Sequence, residues 1–294
     1  VKTLAHKKGL RAFLMPAVLI YTLLFVLPSI VGFYFSLTEW SGLGVEPKFI
    51  GLSNYIEVLT NPTFLQSFGN TVVLAVAGGI LVFAVAFGSM VVMQQMRGRK
   101  FLRSIIYLPN IISPIAIGAA LSFALDSRGA LNGVLGFFGI PPQNWLGPDL
   151  VFMCIIVGLA WSAAGFYALI LLAAVDTIPK ELYEAAKLEG VTKVQAFRTI
   201  TLPLTWDVFA TAATLWVIGS LKIFEIVLAF TGSANSTVPP GARTVAVQQF
   251  LLFNGNSGLP QLGIAAAIGV LMVILSAILL VLVRLLTRRE RVEF

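Results

Sequence analysis

The sequence predicts an all-α integral membrane protein with six transmembrane helices and one long polar loop between the fourth and fifth. Three observations carry this. Of 294 residues, 58% are hydrophobic and only 11% are charged, against roughly 25% charged in a soluble domain. The apolar residues gather into six charge-poor runs, each near the ~20 residues a helix needs to cross a hydrocarbon core. Lys and Arg collect in alternate connections between those runs. Helix is the required choice, because an open strand leaves backbone N–H and C=O groups unpaired in lipid.

The first span is expected at about residues 14–37. No cleavage pattern accompanies it, and it is longer than the apolar core of a secretory signal, so it reads as a retained span. Phe49-Ile50-Gly51-Leu52-Ser53-Asn54-Tyr55 follows and suits a small amphipathic cap before the second span, about 71–94. The third span is expected at about 104–125. Pro16 and Pro28 in the first span and Pro109 and Pro114 in the third each free a backbone carbonyl and bend a helix. Such bends serve packing or open a cavity. The fourth span covers about 150–175, the fifth about 208–230 and the sixth about 262–285. The stretch 233–243 is rich in Ser, Thr, Asn, Pro and Gly and reads as loop.

The basic residues set the orientation. Lys2, Lys7, Lys8, Arg11, Arg97, Arg99, Lys100, Arg103, Lys180, Lys187, Lys193, Arg198, Arg284, Arg288, Arg289 and Arg291 fall on one side. The opposite connections hold only Lys48, Arg128 and Arg243. This asymmetry predicts cytoplasmic N- and C-termini. The expected organisation is a cytoplasmic tail at 1–12, a transmembrane domain at 13–286 with its core at 67–286, a cytoplasmic loop at 176–204 within it, and a cytoplasmic tail at 287–294.

Composition excludes several classes. The net charge of +7 sits at the ends of apolar runs, which argues against nucleic-acid binding. A single cysteine, Cys154, rules out an internal disulfide or a CxxC site, and a single histidine, His6, rules out a His-rich metal centre. No span carries a Ser/His or paired-Asp constellation. No catalytic or metal-binding residue is therefore expected. Lys222 and Glu225 are the charged pair within a span. Spaced three apart on an expected helix, they either neutralise one another or form a polar wall of a path. Trp161, Phe166, Tyr167, Trp216 and Phe224 offer ring faces to a solute, although most such rings pack helices or face lipid. Asn70, Gln248, Gln249 and Asn254 are weaker polar candidates.

The polar loop is the most informative stretch. Pro179 suits a first helical turn and Glu181 its positive end. Gly190 suits a helix stop with positive φ. Thr192-Lys193-Val194-Gln195 is a capping-box pattern. Two short helices meeting at Gly190 are predicted, with Leu182, Ala185, Ala186 and Glu189 on one face. The alternative is a surface helix that packs only on its own bundle.

Glu184-Ala185-Ala186, three residues, Gly190, nine residues and Ile200-Thr201-Leu202-Pro203 resemble the coupling loop of permease subunits of binding-protein-dependent ABC importers. The likeness extends to Leu27-Pro28-Ser29, Phe33 to Thr38, Phe49 to Tyr55, Phe64, Asn70-Thr71, Arg103, Leu108-Pro109, Gly129, Leu131-Asn132, Trp145-Leu146 and Ile178 to Ala186. It is most similar to the carbohydrate-uptake branch, on the side of the first permease of the maltose-type transporter. It departs at Glu189-Gly190-Val191, where Asp-Gly-Ala is frequent, and at Thr205-Trp206-Asp207, where a proline commonly follows the Leu-Pro-Leu.

The resemblance implies a type I importer permease in a bacterial or archaeal cytoplasmic membrane that takes up an oligosaccharide or related sugar by alternating access. It implies an ATPase dimer that binds ATP and Mg and docks on Leu182, Glu184, Ala185, Ala186, Leu188 and Gly190. This chain has no G-x-x-x-x-G-K-[ST] sequence to bind ATP itself. It also implies a second permease, giving a heterodimer, and an extracytoplasmic solute-binding protein. Trp161, Tyr167, Trp216, Lys222, Phe224 and Glu225 are the candidates for the substrate path. The same machinery for glycerol phosphate or a polyol is the alternative. A stand-alone secondary carrier or an intramembrane enzyme is more remote, because intramembrane acids are few.

Overall fold

A computed structural model describes residues 13–42, 44–95, 99–231, 238–255 and 258–287. Of the features expected from sequence, His6, Lys2, Lys7, Lys8, Arg11, Arg97, Arg288, Arg289 and Arg291 lie outside the described residues. So do the tail 1–12, the tail after Thr287 and the 233–237 part of the loop.

The described residues form helices and one two-stranded ribbon. In order these are α1 (Phe13–Ser36), β1 (Thr38–Glu39), β2 (Lys48–Phe49), α2 (Ser53–Thr60), α3 (Pro62–Met93), α4 (Arg99–Ile111) and α5 (Pro114–Leu125). Then follow α6 (Ala130–Phe137), α7 (Val151–Val175), α8 (Lys180–Leu188), α9 (Lys193–Leu204), α10 (Trp206–Ser220), α11 (Glu225–Phe230), α12 (Val245–Asn254) and α13 (Leu262–Thr287). Helices α1, α3, α7 and α13 are each long and apolar enough to cross a membrane. Two bent helix pairs bring the total to six where each pair is counted as one span.

The chain divides into two compact units. The first comprises Val1–Asn61 with Gln249–Val273. Its described part is built around the end of α1. β1 and β2 pair antiparallel, Thr38 opposite Phe49. The cap expected at 49–55 is present as β2 and the start of α2, which buries Asn54 and Val58. The Asn54 amide donates to the carbonyls of Ser36 and Thr38, both at 2.9 Å. Those carbonyls lie where α1 runs out of its own donors, so one side chain replaces the missing helical turn. The Gly263 N–H donates to the Trp40 carbonyl at 3.1 Å, and a Cβ at Gly263 would overlap the Thr38 carbonyl.

The second unit comprises Pro62–Gln248 with Ile274–Phe294. Helix α7 is its axis, with fourteen buried residues along its length. Glycines allow other helices to reach it. A Cβ at Gly165 would overlap the Ile106 carbonyl of α4, and one at Gly158 would meet the Phe230 ring of α11 at 3.1 Å. Gly118 of α5 gives similar access to the backbone of α11, with the Ile226 carbonyl 2.8 Å from where a Cβ would stand.

Three expected spans differ in detail. The second begins at Pro62 rather than near 71. Proline is well suited to a helix start, and Phe64, Ser67 and Thr71 are buried, so packing extends the helix beyond its apolar run. The third is not one helix. It breaks after Ile111 and restarts at Pro114, with a bend of 92°, and Ser113 at the break is extended with ψ 135°, the conformation favoured before a proline. The fifth also breaks. Helix α10 meets α9 at 74°, and residues 221–224 interrupt it before α11.

Helix α3 carries a wide turn at Leu74–Gly78. There the Trp216 indole N–H donates to the Ala75 carbonyl at 2.8 Å, and the ring lies where side chains on Gly78 and Gly79 would otherwise stand.

The α4–α7 contact is tested at Gly165. Gly165→Ala forces the Ile106 backbone aside and is expected to cost about 1–3 kcal/mol, read as a lower unfolding temperature of the detergent-solubilised protein. Gly69→Ala, whose Cβ meets nothing within 4 Å, is expected to leave that temperature unchanged or raise it slightly.

Candidate functional site

Two parts of the second unit carry candidate functional residues: the loop formed by α8 and α9, and a cavity between α4, α5, α7 and the interruption at 221–224.

The loop folds as its sequence requires, with one adjustment. Pro179 stands immediately before α8 instead of inside its first turn. The end of α8 is a Schellman motif. The Val191 N–H donates to the Ala186 carbonyl at 3.0 Å and the Gly190 N–H to the Lys187 carbonyl at 3.2 Å. Gly190 has φ +72°, a conformation that other residues reach only with strain. The capping box also forms. Thr192 Oγ1 accepts from the Gln195 N–H at 3.3 Å, and the Gln195 amide oxygen accepts from the Thr192 N–H at 2.9 Å.

The faces of α8 are rotated from the expected ones. Leu182 and Ala186 are half-buried together with Tyr183, whereas Ala185 and Glu189 are exposed. The cause is Tyr183, whose hydroxyl meets Thr201 Oγ1 at 2.9 Å and ties α8 to α9. Glu181, Glu184, Ala185 and Leu188 form the outward strip, and Leu188 is 90% exposed.

The loop is joined to the bundle in two ways. The Arg103 guanidinium pairs with Asp176 at 2.6 Å, which puts the base of α4 and the start of the loop at one end of the unit. A column of rings also runs from the loop inward. Phe197 meets Phe87 at 5.7 Å, Phe87 meets Phe209 at 5.5 Å, and Phe209 meets Phe83 at 5.2 Å. Phe83 then meets Tyr167 at 5.3 Å and Tyr167 meets Trp216 at 5.9 Å.

The cavity measures about 320 Å³, within the range of small-molecule sites. Its wall includes Pro109, Asn110, Ser162, Lys222, Phe224 and Glu225. The bends at the third and fifth spans open it. Of the six candidate path residues, the structure brings Lys222, Phe224 and Glu225 to this wall. Lys222 and Glu225 share no helix, since one lies in the interruption and the other begins α11. Among the described residues neither forms a salt bridge. Tyr167 and Trp216 are 7% and 4% exposed and belong to the ring column. Trp161 is 54% exposed and lies away from the cavity.

Asn110 and Ser162 were not singled out from sequence. A polar residue next to Pro109 in an apolar run was the available signal for the first. Ser162 had none, since an isolated serine in a helix usually bonds back to its own backbone, as Ser162 does to Leu159.

At the opposite end from Arg103 the chain is held by polar groups. The Asn70 amide donates to the carbonyls of Pro240 and Arg243 at 3.1 and 3.0 Å. The Arg243 guanidinium donates to the Val238 carbonyl at 2.7 Å, and burial lowers its pKa from the ordinary value. The other polar candidates serve local contacts. Gln249 donates to the Ala265 carbonyl and Asn254 to the Phe250 carbonyl, while Gln248 faces Arg243.

Residues 80–292 match the profile of the family described as binding-protein-dependent transport system inner membrane component. The chain belongs to this family. It is thus a permease subunit of a binding-protein-dependent ABC importer, a multi-pass inner-membrane protein that does no catalysis itself. It is 31% identical over 266 residues to the trehalose/maltose transport system permease protein MalF of Thermococcus litoralis, covering 89% of this chain and 88% of that one. It is 32% identical over 273 residues to the arabinooligosaccharides transport system permease protein AraP of Bacillus subtilis, covering 89% and 83%. In fold it is similar to a chain in the crystal structure of a bacterial ABC transporter involved in import of the acidic polysaccharide alginate. That match has a TM-score of 0.84, 21% identity and 98% coverage of both chains.

The permease's loop geometry is tested at its cap. Thr192→Ala is expected to cost about 1 kcal/mol, seen as faster tryptic cleavage after Lys193 in the detergent-solubilised protein, with the unfolding temperature of the bundle unchanged.

Proposed function

We infer that the permease forms one side of a path through which an ATP-driven importer takes up a carbohydrate. The observation that carries the substrate class is the set of full-length relatives named for trehalose, maltose and arabinooligosaccharides. An extracytoplasmic binding protein delivers the sugar, and a second permease completes the path. A separate ATPase dimer holds ATP and Mg.

In this reading the permease domain spans 13–286, with its core at 67–286 and its coupling loop at 176–204. Both termini and the loop face the cytoplasm. The distribution of Lys and Arg supports this, and so does the Arg103–Asp176 pair, which joins two basic connections at one end.

The ATPase docks on α8. Glu184, Ala185 and Leu188 offer a charge, a small residue permitting close approach, and an apolar side chain whose burial is worth about 1.5–3 kcal/mol. Leu182 and Ala186 support that strip from below, and Gly190 fixes the angle to α9. Closure of the ATPase dimer moves α8, and the ring column from Phe197 to Trp216 carries the displacement as packed contact. The cavity then opens alternately to either side. Asn110, Ser162, Lys222 and Glu225 supply polar groups for sugar hydroxyls, and Phe224 supplies a ring face.

Lys222 favours a second reading, glycerol phosphate on the same machinery, because an ammonium without a salt bridge suits a phosphate. Titration calorimetry of the permease's cognate binding protein with maltose, trehalose, arabinotriose and glycerol 3-phosphate separates the two. Binding of glycerol 3-phosphate alone overturns the carbohydrate reading.

Docking is tested by Glu184→Lys and Gly190→Val. A Cβ at Gly190 meets nothing within 4 Å, so Gly190→Val alters backbone conformation, at about 1–2 kcal/mol, without disturbing packing. Each variant is expected to lower sugar-stimulated ATP hydrolysis of the reconstituted complex by roughly tenfold or more, with unchanged membrane levels. Full coupling in both removes the docking role.

A further inference from the structure

The interruption at 221–224 is held by a residue outside the path. Thr244, which is fully buried, stands just before α12. Its hydroxyl accepts from the Val247 N–H at 3.2 Å, and its carbonyl accepts from the Gln248 N–H at 2.9 Å. That is the geometry of a helix cap. The same hydroxyl donates its one proton to the Ile223 carbonyl at 2.7 Å. Thr244 is itself pinned. The next N–H, of Val245, donates to Thr71 Oγ1 at 2.9 Å, and Asn70 holds the carbonyls of Pro240 and Arg243.

Ile223 is flanked by Lys222 and Phe224, and all three line the cavity. In an uninterrupted helix the Ile223 carbonyl would accept from the N–H four residues on. Here the Thr244 hydroxyl satisfies it. Without that donor the carbonyl regains a protein partner if the segment winds into helix. Each residue then turns by about 100° relative to its neighbour, and Lys222 swings off the cavity wall.

We propose that Thr244 is a positioning residue for transport: its hydroxyl holds the fifth span in its interrupted form and so keeps Lys222 and Glu225 on the wall of the path. The connection at 238–245 thereby sets the shape of the path from its opposite end to the coupling loop. This rests on the cavity being the path, and the experiment separates the two.

Lys222→Cys and Ser162→Cys are made singly in a Cys154→Ser background and assembled with the second permease and the ATPase in native membranes. Labelling by the charged thiol reagent methanethiosulfonate ethyltrimethylammonium is timed. Both cysteines are expected to react. Adding Thr244→Val is expected to slow position 222 by about fivefold or more while position 162 stays within about twofold. Thr244→Ser, which keeps the hydroxyl, is expected to restore the original rate. If neither cysteine reacts with Thr244 intact, the cavity is not the path and the proposal falls with it. If both react and Thr244→Val changes neither, or slows both equally, the positioning role alone is overturned. Should Thr244→Val fail to assemble, Thr244→Ala takes its place, since it also removes the hydroxyl that donates to Ile223. An unchanged rate at position 222 then overturns the proposal.

Discussion

In hydrocarbon a backbone N–H or C=O has no water to turn to, so every place where a membrane helix stops or bends must find a partner within the protein. The architecture follows from how this chain meets that requirement. Where α1 ends, Asn54 takes the carbonyls of Ser36 and Thr38. Where α3 widens, the Trp216 indole takes the Ala75 carbonyl. Where the fifth span breaks, Thr244 takes the carbonyl of Ile223. Each partner is distant in sequence, so each irregularity also fastens two segments together. The irregular turns are therefore where the bundle is tied, and a permease needs such turns because uninterrupted apolar helices would leave no polar cavity between them.

The coupling loop obeys a different constraint. It lies among polar residues where water competes for every hydrogen bond, so its geometry comes from local devices: the Schellman turn at Gly190, the capping box at Thr192 and the Tyr183–Thr201 contact. These fix α8 against α9 but do not attach the loop to the membrane bundle. The attachment is made by Arg103 and Asp176 at the rim and by the rings that start at Phe197. With so few interior charges, the bundle joins its loop to its core by packing and keeps the ion pair at the rim. Rings suit this, since each presents a large rigid surface and loses little rotamer freedom on burial.

Much of this was legible in the sequence. Hydropathy located six spans, because the requirement for about 20 apolar residues is strict. The turn at Gly190 and the cap at Thr192 were readable because both depend on neighbours in the chain. The face of α8 was read less well. Spacing alone grouped Leu182, Ala185, Ala186 and Glu189, but the tie from Tyr183 to a residue in α9 turned the helix, and no local pattern announces that. Lys222 and Glu225 were visible as rare charges in a span. Their separation by a helix break was not, since residues 219–224 contain no proline and the break depends on Thr244, twenty residues onward. Trp216 and Tyr167 looked like sugar-stacking rings and are buried packing rings, a distinction that depends on Gly78, Gly79 and the neighbouring phenylalanines.

The two breaks that open the cavity differ in kind, and the difference bears on which can move. The break at Ser113 is covalent in origin. Pro114 has no N–H to give and disfavours helix at Ser113, so one rung of that ladder is missing in any conformation. The break at 221–224 contains no proline, and every residue there carries an N–H able to continue a helix. Its persistence is a matter of competing partners for a few backbone groups, the sort of balance that a small displacement can tip. A path built from one fixed bend and one adjustable bend has a rigid wall and a wall that can respond. The two charged side chains stand on the wall that can respond.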